Sequence, residues 1–493
     1  MSKILLINPS KWGRGVTPIW IPSHTGALKS RGHEVEVFDC TFYSGWSNNE
    51  VEYNTGNKQY KPSDYFSYIE YNQNDILKDL QDKIDQFDPD IIFWSALSSH
   101  IHGEGEYVNV QYGYELVSKI KSRALRVTAG LQATADSTMV FNKFKDIDVL
   151  IRGESELVIS EIAEKLNNSQ TIFDTNGISF LSEGKVLDNP KQSIISNLDT
   201  IGHYDYSVFD TQVFYRPYNG KVVKAVDYEL SRGCIYSCAY CVETVIQHYY
   251  GFDEINNKGV IKNVKKYLRN KSAKRIYEEM KDLHNNFGIY LFRCQDTNFL
   301  TIEKNVLNEL AELISDSGMD IKLYIETRPE GINDKSVELL KKLNVDGVGS
   351  GIEISTQSFR EDVLNRFANQ DKIINAFKLL KQAGIKRTAY NIIGLPNQDE
   401  DMVIETIKFN QLLNPDNMTV AYYSPYIGTS VQKMSKDLSY FDDYEYKVDP
   451  MLRSVSKSKL ISTDLLEFYK KYFVSLVRGG LDNLKEYKLK ENL

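Results

Sequence analysis

Cys234, Cys238 and Cys241 fall within Gly-Cys-Ile-Tyr-Ser-Cys-Ala-Tyr-Cys and hold three of the chain's five cysteines in a CxxxCxxC spacing. A [4Fe–4S] cluster takes four ligands, usually thiolates, so three cysteines leave one iron open to a ligand that is not protein. A structural zinc ion would instead want closed tetrahedral coordination, commonly from two CxxC-like pairs, and no partner pair exists here. Disulfides are disfavoured by the odd number of clustered thiols. Residues 1–11 also lack the charged, apolar and small-residue succession of an export signal. Cys40 and Cys294 read as lone buried thiols, too few for a second conventional cluster.

The elements around the cysteines alternate strand and helix. Val226–Leu230 reads as a strand that delivers the cysteine loop. Strand-like runs follow at Gly288–Arg293, Ile321–Glu326, Gly347–Glu353, Lys386–Gly394 and Thr419–Tyr423, most of them separated by helical stretches. Six such units suit a partial (β/α)6 barrel, with functional groups at the carboxyl ends of its strands. Gln295-Asp296-Thr297, Glu326-Thr327-Arg328 and Glu353-x-Ser355 sit at those ends.

The cysteine spacing, with Tyr240 just before the last thiol, resembles the radical S-adenosylmethionine (SAM) enzymes. Ile393-Gly-Leu-Pro396 and Pro425-x-x-Gly-Thr429 resemble further turns of that superfamily, although its usual Gly-Glu-Thr continuation is absent. The resemblance implies that SAM chelates the open iron and is cleaved to a 5′-deoxyadenosyl radical. It places Tyr240 against the adenine and puts Asp296 and Thr297 near the amino group. It gives Glu326 or Glu353 the ribose hydroxyls and Arg328 the carboxylate, with Ser355 among the SAM contacts.

Upstream, Lys3–Pro9, Glu34–Asp39, Asp90–Ser95, Arg126–Ala129 and Val149–Glu154 read as strands. Helices are expected at about Ile21–Ser30, Asp75–Phe87 and Tyr114–Lys121, giving an α/β, doubly wound, Rossmann-like sheet. A Tyr- and Asn-rich insert, about Thr41–Asn74, interrupts the pattern. The strand-end loops resemble the cobalamin-binding domain that precedes many radical SAM cores. By that resemblance Pro9, Ser10, Ser95, Ala96, Ser98, Ser99, Gly130, Leu131, Gln132, Gly153 and Glu154 would meet a corrin. The Asp-x-His-x-x-Gly motif, whose histidine replaces the cobalt's lower base elsewhere, is absent from the first loop. His100 or His102 could approach the lower face instead.

The expected organisation is a Rossmann-like domain over 1–165, a linker with a hairpin over 166–225, a barrel over 226–430 and a helical region over 431–493. In that last region Thr463–Val477 is the clearest amphipathic helix. A net charge of −8 over 493 residues argues against a broad nucleic-acid surface. The absence of a long apolar run argues against a membrane span, and a cytoplasmic location is expected. The function implied is a cobalamin-dependent radical SAM methyltransferase, using methylcobalamin to methylate carbon or phosphorus of a small metabolite. Its partners would be that small-molecule substrate and a reducing electron donor such as flavodoxin or ferredoxin. The alternative is non-methylating radical chemistry, by cyclisation, rearrangement or transfer of another SAM fragment. No catalytic residue is identifiable from the sequence.

Overall fold

Ile4 to Ile7 are all fully buried, and their side chains divide by alternation. Ile4 and Leu6 join one core, while Leu5 and Ile7 join the core on the opposite face. That is the pattern of a central strand covered on both sides by helices. The computed structural model describes residues 1–97, 103–438 and 458–493, the side chains of 103–108 excepted. Ser98, Ser99, His100 and His102 therefore lie outside the described residues or side chains.

The first sheet contains β1 (Lys3–Asn8), β2 (Glu34–Asp39), β3 (Ile91–Trp94), β4 (Leu125–Thr128) and β5 (Val149–Ile151), all parallel. An antiparallel hairpin, β6 (Ile178–Ser182) and β7 (Lys185–Asp188), extends it. The order β2-β1-β3-β4-β5-β6-β7 reverses direction between β1 and β3, so the crevice beyond the carboxyl ends of those two strands is the natural ligand position. The helix before β4 spans Gly103–Val117, displaced from the expected Tyr114–Lys121. Within it Gly113 lies against the Trp94 ring, where a Cβ would come within 2.0 Å of Cδ1, so a glycine that weakens the helical pattern is kept for packing.

The second sheet contains β8 (Tyr215–Tyr218), β9 (Lys221–Tyr228), β12 (Leu291–Cys294), β13 (Lys322–Glu326), β14 (Val345–Glu353), β15 (Lys386–Ile393) and β16 (Asn417–Tyr422). The short pair β10 (Ser231–Arg232) and β11 (Arg269–Asn270) lies apart from it. Six of its strands run parallel, as six βα units require, and β8 adds an antiparallel edge. β9 starts at Lys221 rather than Val226 because Asn219 and Gly220, both at positive φ (53° and 81°), turn the chain into a tight hairpin. The helix expected at Thr463–Val477 spans Thr463–Gly479 and packs on β16 and the Glu400–Leu413 helix. No helix among the described residues is long and apolar enough to cross a membrane.

The polar insert closes the open side of this half-barrel. Gln59 accepts a hydrogen bond from the Val420 backbone N–H at 2.8 Å, and the Lys470 ammonium donates to the Val420 carbonyl. Thus the edge of β16 is capped by the N-terminal insert and by the C-terminal helix. Asn417 reaches the Asn219 side chain at 2.9 Å, bridging the two edges of the sheet.

Candidate active site

The cysteine loop leaves β9 and ends in the Glu243–Tyr250 helix. It carries little regular structure, so side chains hold it. Asp296 accepts hydrogen bonds from the Leu230 and Ser231 backbone N–H groups (3.1 and 2.6 Å) and from the Ser231 hydroxyl (2.6 Å). Glu243 accepts from the Cys234 N–H at 3.0 Å, and Gln247 donates to the Cys234 and Tyr236 carbonyls at 3.0 and 2.9 Å. Asn365 donates to the Ser237 carbonyl at 2.6 Å. Burial raises the Asp296 carboxyl to about 7 against the pull of these donors.

Cys234 and Cys238 are buried and Cys241 is partly so. Burial, helped by Glu243 and the neighbouring thiols, pushes the Cys234 and Cys241 thiols up, so a metal ion would have to drive their ionisation. Arg328 supplies positive charge beside them: its Nη1 lies 3.8 Å from Cys238 Sγ, and its guanidinium stacks 3.7 Å from the centre of the Tyr236 ring. Among the described residues no trio of His, Cys, Asp and Glu converges on a single-ion position.

A cavity of about 360 Å³ runs through the barrel lumen. Alternate residues of the strands line it: Leu291 and Arg293, Tyr324 and Glu326, Thr388 and Tyr390, Asn417 and Thr419, with Tyr240 and Glu353 at the cysteine end. Gly347 and Gly349 leave room for aromatic rings, since a Cβ on Gly349 would stand 2.5 Å from the Tyr390 hydroxyl. Tyr390 donates to Glu326 at 3.1 Å. Burial raises Glu326 to about 7, with Arg293 opposing. Glu353, at a left-handed φ of 59°, accepts from the Tyr240 hydroxyl at 2.9 Å and lies 3.7 Å from Arg366.

The structure sorts the residues singled out in the sequence. Tyr240, Glu326 and Glu353 gather at the cavity. Asp296 is buried and occupied with the cysteine loop, and Arg328 is paired with Glu330 and Cys238. Thr297 is half-buried beside Asp296, and Ser355 is buried with its N–H bonded to Thr406. Arg14, Arg216, Arg293, Tyr390 and Arg366 were not anticipated. A charged residue inside an apolar strand, as in Tyr290-Leu-Phe-Arg293, was the available signal.

The carboxyl ends of the two sheets face each other. Trp12 and Arg14, from the loop after Pro9 and Ser10, line the barrel cavity. Thr17 donates its N–H to Asp227 of β9 at 3.0 Å. Leu97 and Leu131 pack in one cluster with Val242, Val245, Tyr426 and Ile427. Gly153, at φ 76°, accommodates the Tyr250 hydroxyl, which accepts from the Glu154 N–H at 2.9 Å. Arg232 binds Glu156 and Glu229, and Arg269 binds Glu154 at 2.8 Å, all within the seam. Ser95 and Gly130 take positive φ (65° and 109°) and pack against each other, a Cβ on Gly130 falling 3.1 Å from the Ser95 hydroxyl; Ser95, Ala96 and Gln132 are fully buried.

Residues 228–409 match the model of the radical SAM superfamily. An uncharacterized methyltransferase of Pyrococcus horikoshii is 24% identical over 400 residues, 79% of this chain and 81% of that protein. The anaerobic magnesium-protoporphyrin IX monomethyl ester cyclase of Rubrivivax gelatinosus is 23% identical over 420 residues, 83% of this chain and 70% of that protein. The radical SAM methyltransferase TsrM of Kitasatospora setae, solved with cobalamin and a [4Fe–4S] cluster bound, superposes with a TM-score of 0.64 at 16% identity, covering 90% of this chain and 80% of that one. Residues 228–409 thus form a radical SAM domain, with the cysteine loop at the mouth of a six-stranded parallel half-barrel, and the chain shares the fold of TsrM.

Proposed function

We propose that the chain is a cobalamin-dependent methyltransferase acting on a carbon or phosphorus centre of a small molecule. One observation carries this reading: the loop after β1, where a corrin would lie, lines the same cavity as Tyr240 and Glu353, where SAM would lie. A methyl donor held by the first sheet would then face the lumen without domain movement. When bound, a three-cysteine [4Fe–4S] cluster supplies the electron that cleaves SAM, and a corrin supplies the methyl group.

The chain's own residues position these groups. Cys234, Cys238 and Cys241 hold the cluster, and Asp296, Glu243 and Gln247 fix their loop. Glu353, oriented by Tyr240 and Arg366, accepts from ribose hydroxyls, while Glu326 holds a proton near neutral pH beside Tyr390. The loops after the first-sheet strands, where Ser95 and Gly130 take positive φ, would seat the corrin, whereas Gly153 and Glu154 are already engaged by Tyr250 and Arg269. The rings of Tyr324 and Tyr390 wall the lumen and keep water from a radical. A low-potential protein such as flavodoxin or ferredoxin delivers the electron.

The test is anaerobic reconstitution with iron, sulfide and hydroxocobalamin, followed by incubation with SAM, reductant and candidate acceptors. Corrin absorption retained by the protein, together with 5′-deoxyadenosine and S-adenosylhomocysteine, is expected. 5′-Deoxyadenosine without S-adenosylhomocysteine would replace methyl transfer by a non-methylating reaction, the class to which the cyclase relative points.

A further inference from the structure

The barrel lumen carries positive charge that the protein does not fully neutralise. Arg14, Arg216 and Arg293 all face the cavity. Two are paired in charge internally, Arg14 with Glu50, and Arg216 through its Nη2 with Asp227 at 2.6 Å. Arg293 has no hydrogen bond and no carboxylate at ion-pair distance among the described residues. Its contact is with the face of Tyr324, 5.5 Å to the ring centre, while Asp227 and Glu326 act on it from farther away. Arg293 is half-buried, and a cation in such a position without a partner is costly; binding sites retain such groups for a ligand of opposite charge.

The neighbouring polar groups point the same way. Arg216 Nη1, Gln59 Nε2 and Asn219 Nδ2 are buried without acceptors, and Arg216 and Gln59 are only 2% and 7% exposed. Every orphaned buried atom among the cavity's lining residues is thus a donor. What this part of the lumen lacks is an acceptor with several lone pairs.

We infer that the substrate carries an oxyanion, a carboxylate or a phosphate or phosphonate, that seats on Arg293 with the donors of Arg216, Gln59 and Asn219 around it. Both chemistries present paired oxygens to a planar guanidinium. The carboxylate of SAM is not a rival occupant, because it belongs on the cluster side. Arg293 pairs in register with Tyr324, and Glu326 stands two residues, about 7 Å, nearer that end. Seating the anion on Arg293, beside β9, leaves the rest of the lumen, with Tyr240 and Glu353, for the remainder of the substrate. This inference rests on reading the lumen as the substrate site of the proposed methyltransferase.

The test uses full-length, anaerobically reconstituted protein titrated calorimetrically with inorganic phosphate, methylphosphonate and acetate. Saturable binding of at least one is expected in the wild type. Affinity should fall about tenfold or more in Arg293→Gln, fall less in Arg293→Lys, and stay unchanged in Arg123→Gln, whose side chain is 84% exposed. The preferred probe identifies the oxyanion class. A wild type that saturates with none of the three overturns the inference, as does an Arg293→Gln protein of native thermal midpoint and undiminished affinity. If Arg293→Gln does not fold, Arg293→Lys decides: weakened binding supports the seat and unchanged binding overturns it. 5′-Deoxyadenosine formation by the wild type is measured alongside; its absence would defeat the catalytic reading while leaving the oxyanion result standing.

Discussion

Replacing Arg232 by methionine should destabilise the seam between the two sheets in a manner that depends on pH. Glu156 is fully buried, and burial alone would raise its carboxyl; Arg232, with His24 behind it, instead holds it at about 2 rather than 4.5. A depression of that size corresponds to about 3 kcal/mol of stability at neutral pH, in line with the roughly 3–5 kcal/mol lost when one partner of a buried pair is removed. The wild-type contribution is present above pH 4.5 and is lost as pH falls toward 2. In Arg232→Met the same carboxyl has lost its cation and burial raises it, so acidification from pH 7 to 5 should restore part of the deficit by protonating it. Urea unfolding of cluster-free protein, followed by tryptophan fluorescence at several pH values, measures both effects. A variant within about 0.5 kcal/mol of wild type at pH 7 would refute the reasoning, because surface changes commonly fall in that range. So would stability curves that run parallel between pH 5 and 7.

Alanine at Cys234, Cys238 or Cys241 should lower bound iron and abolish 5′-deoxyadenosine formation, read by iron assay and chromatography. Asp296→Ala should orphan two backbone N–H groups and a hydroxyl, costing about 2 kcal/mol and reducing iron per chain after reconstitution. Because burial raises Asp296 to about 7, its contribution is greatest below pH 4 and fades as pH climbs through 7; Asp296→Asn should flatten that slope in thermal midpoints. Gly349→Ala places a methyl group against the Tyr390 hydroxyl and should cost about 1–3 kcal/mol in urea unfolding, with weaker SAM binding by calorimetry.

The cysteine loop and six parallel strands were legible because each rests on local pattern: fixed thiol spacing, apolar runs and turn residues. Side-chain roles were less so. Asp296 stands where the resemblance places a SAM contact, yet its acceptors are taken up by Leu230 and Ser231, some 65 residues away in sequence. Arg328 faces Cys238 and Glu330 for the same kind of reason, a long-range choice among partners that spacing cannot express. The Tyr- and Asn-rich insert holds one short helix, Glu50–Gly56, and is fixed by contacts that local pattern does not express: Phe42 and Tyr43 in the cores, hydrogen bonds joining Tyr65 and Tyr71 to the loop after β1, and Gln59 on β16. Arg293 looked like an interruption in a core strand until the barrel curvature turned its face to the lumen.

The bond from Gln59 to the Val420 backbone joins positions 361 residues apart. A wall of the reaction chamber is therefore borrowed from the other half of the molecule. Excising the barrel would leave a raw strand edge beside an open lumen, a template for self-association. Grafting a different N-terminal module onto it would remove part of the chamber along with the original one. The two halves can be exchanged between relatives only if the seal travels with them, so they are to be inherited, expressed and engineered as one piece.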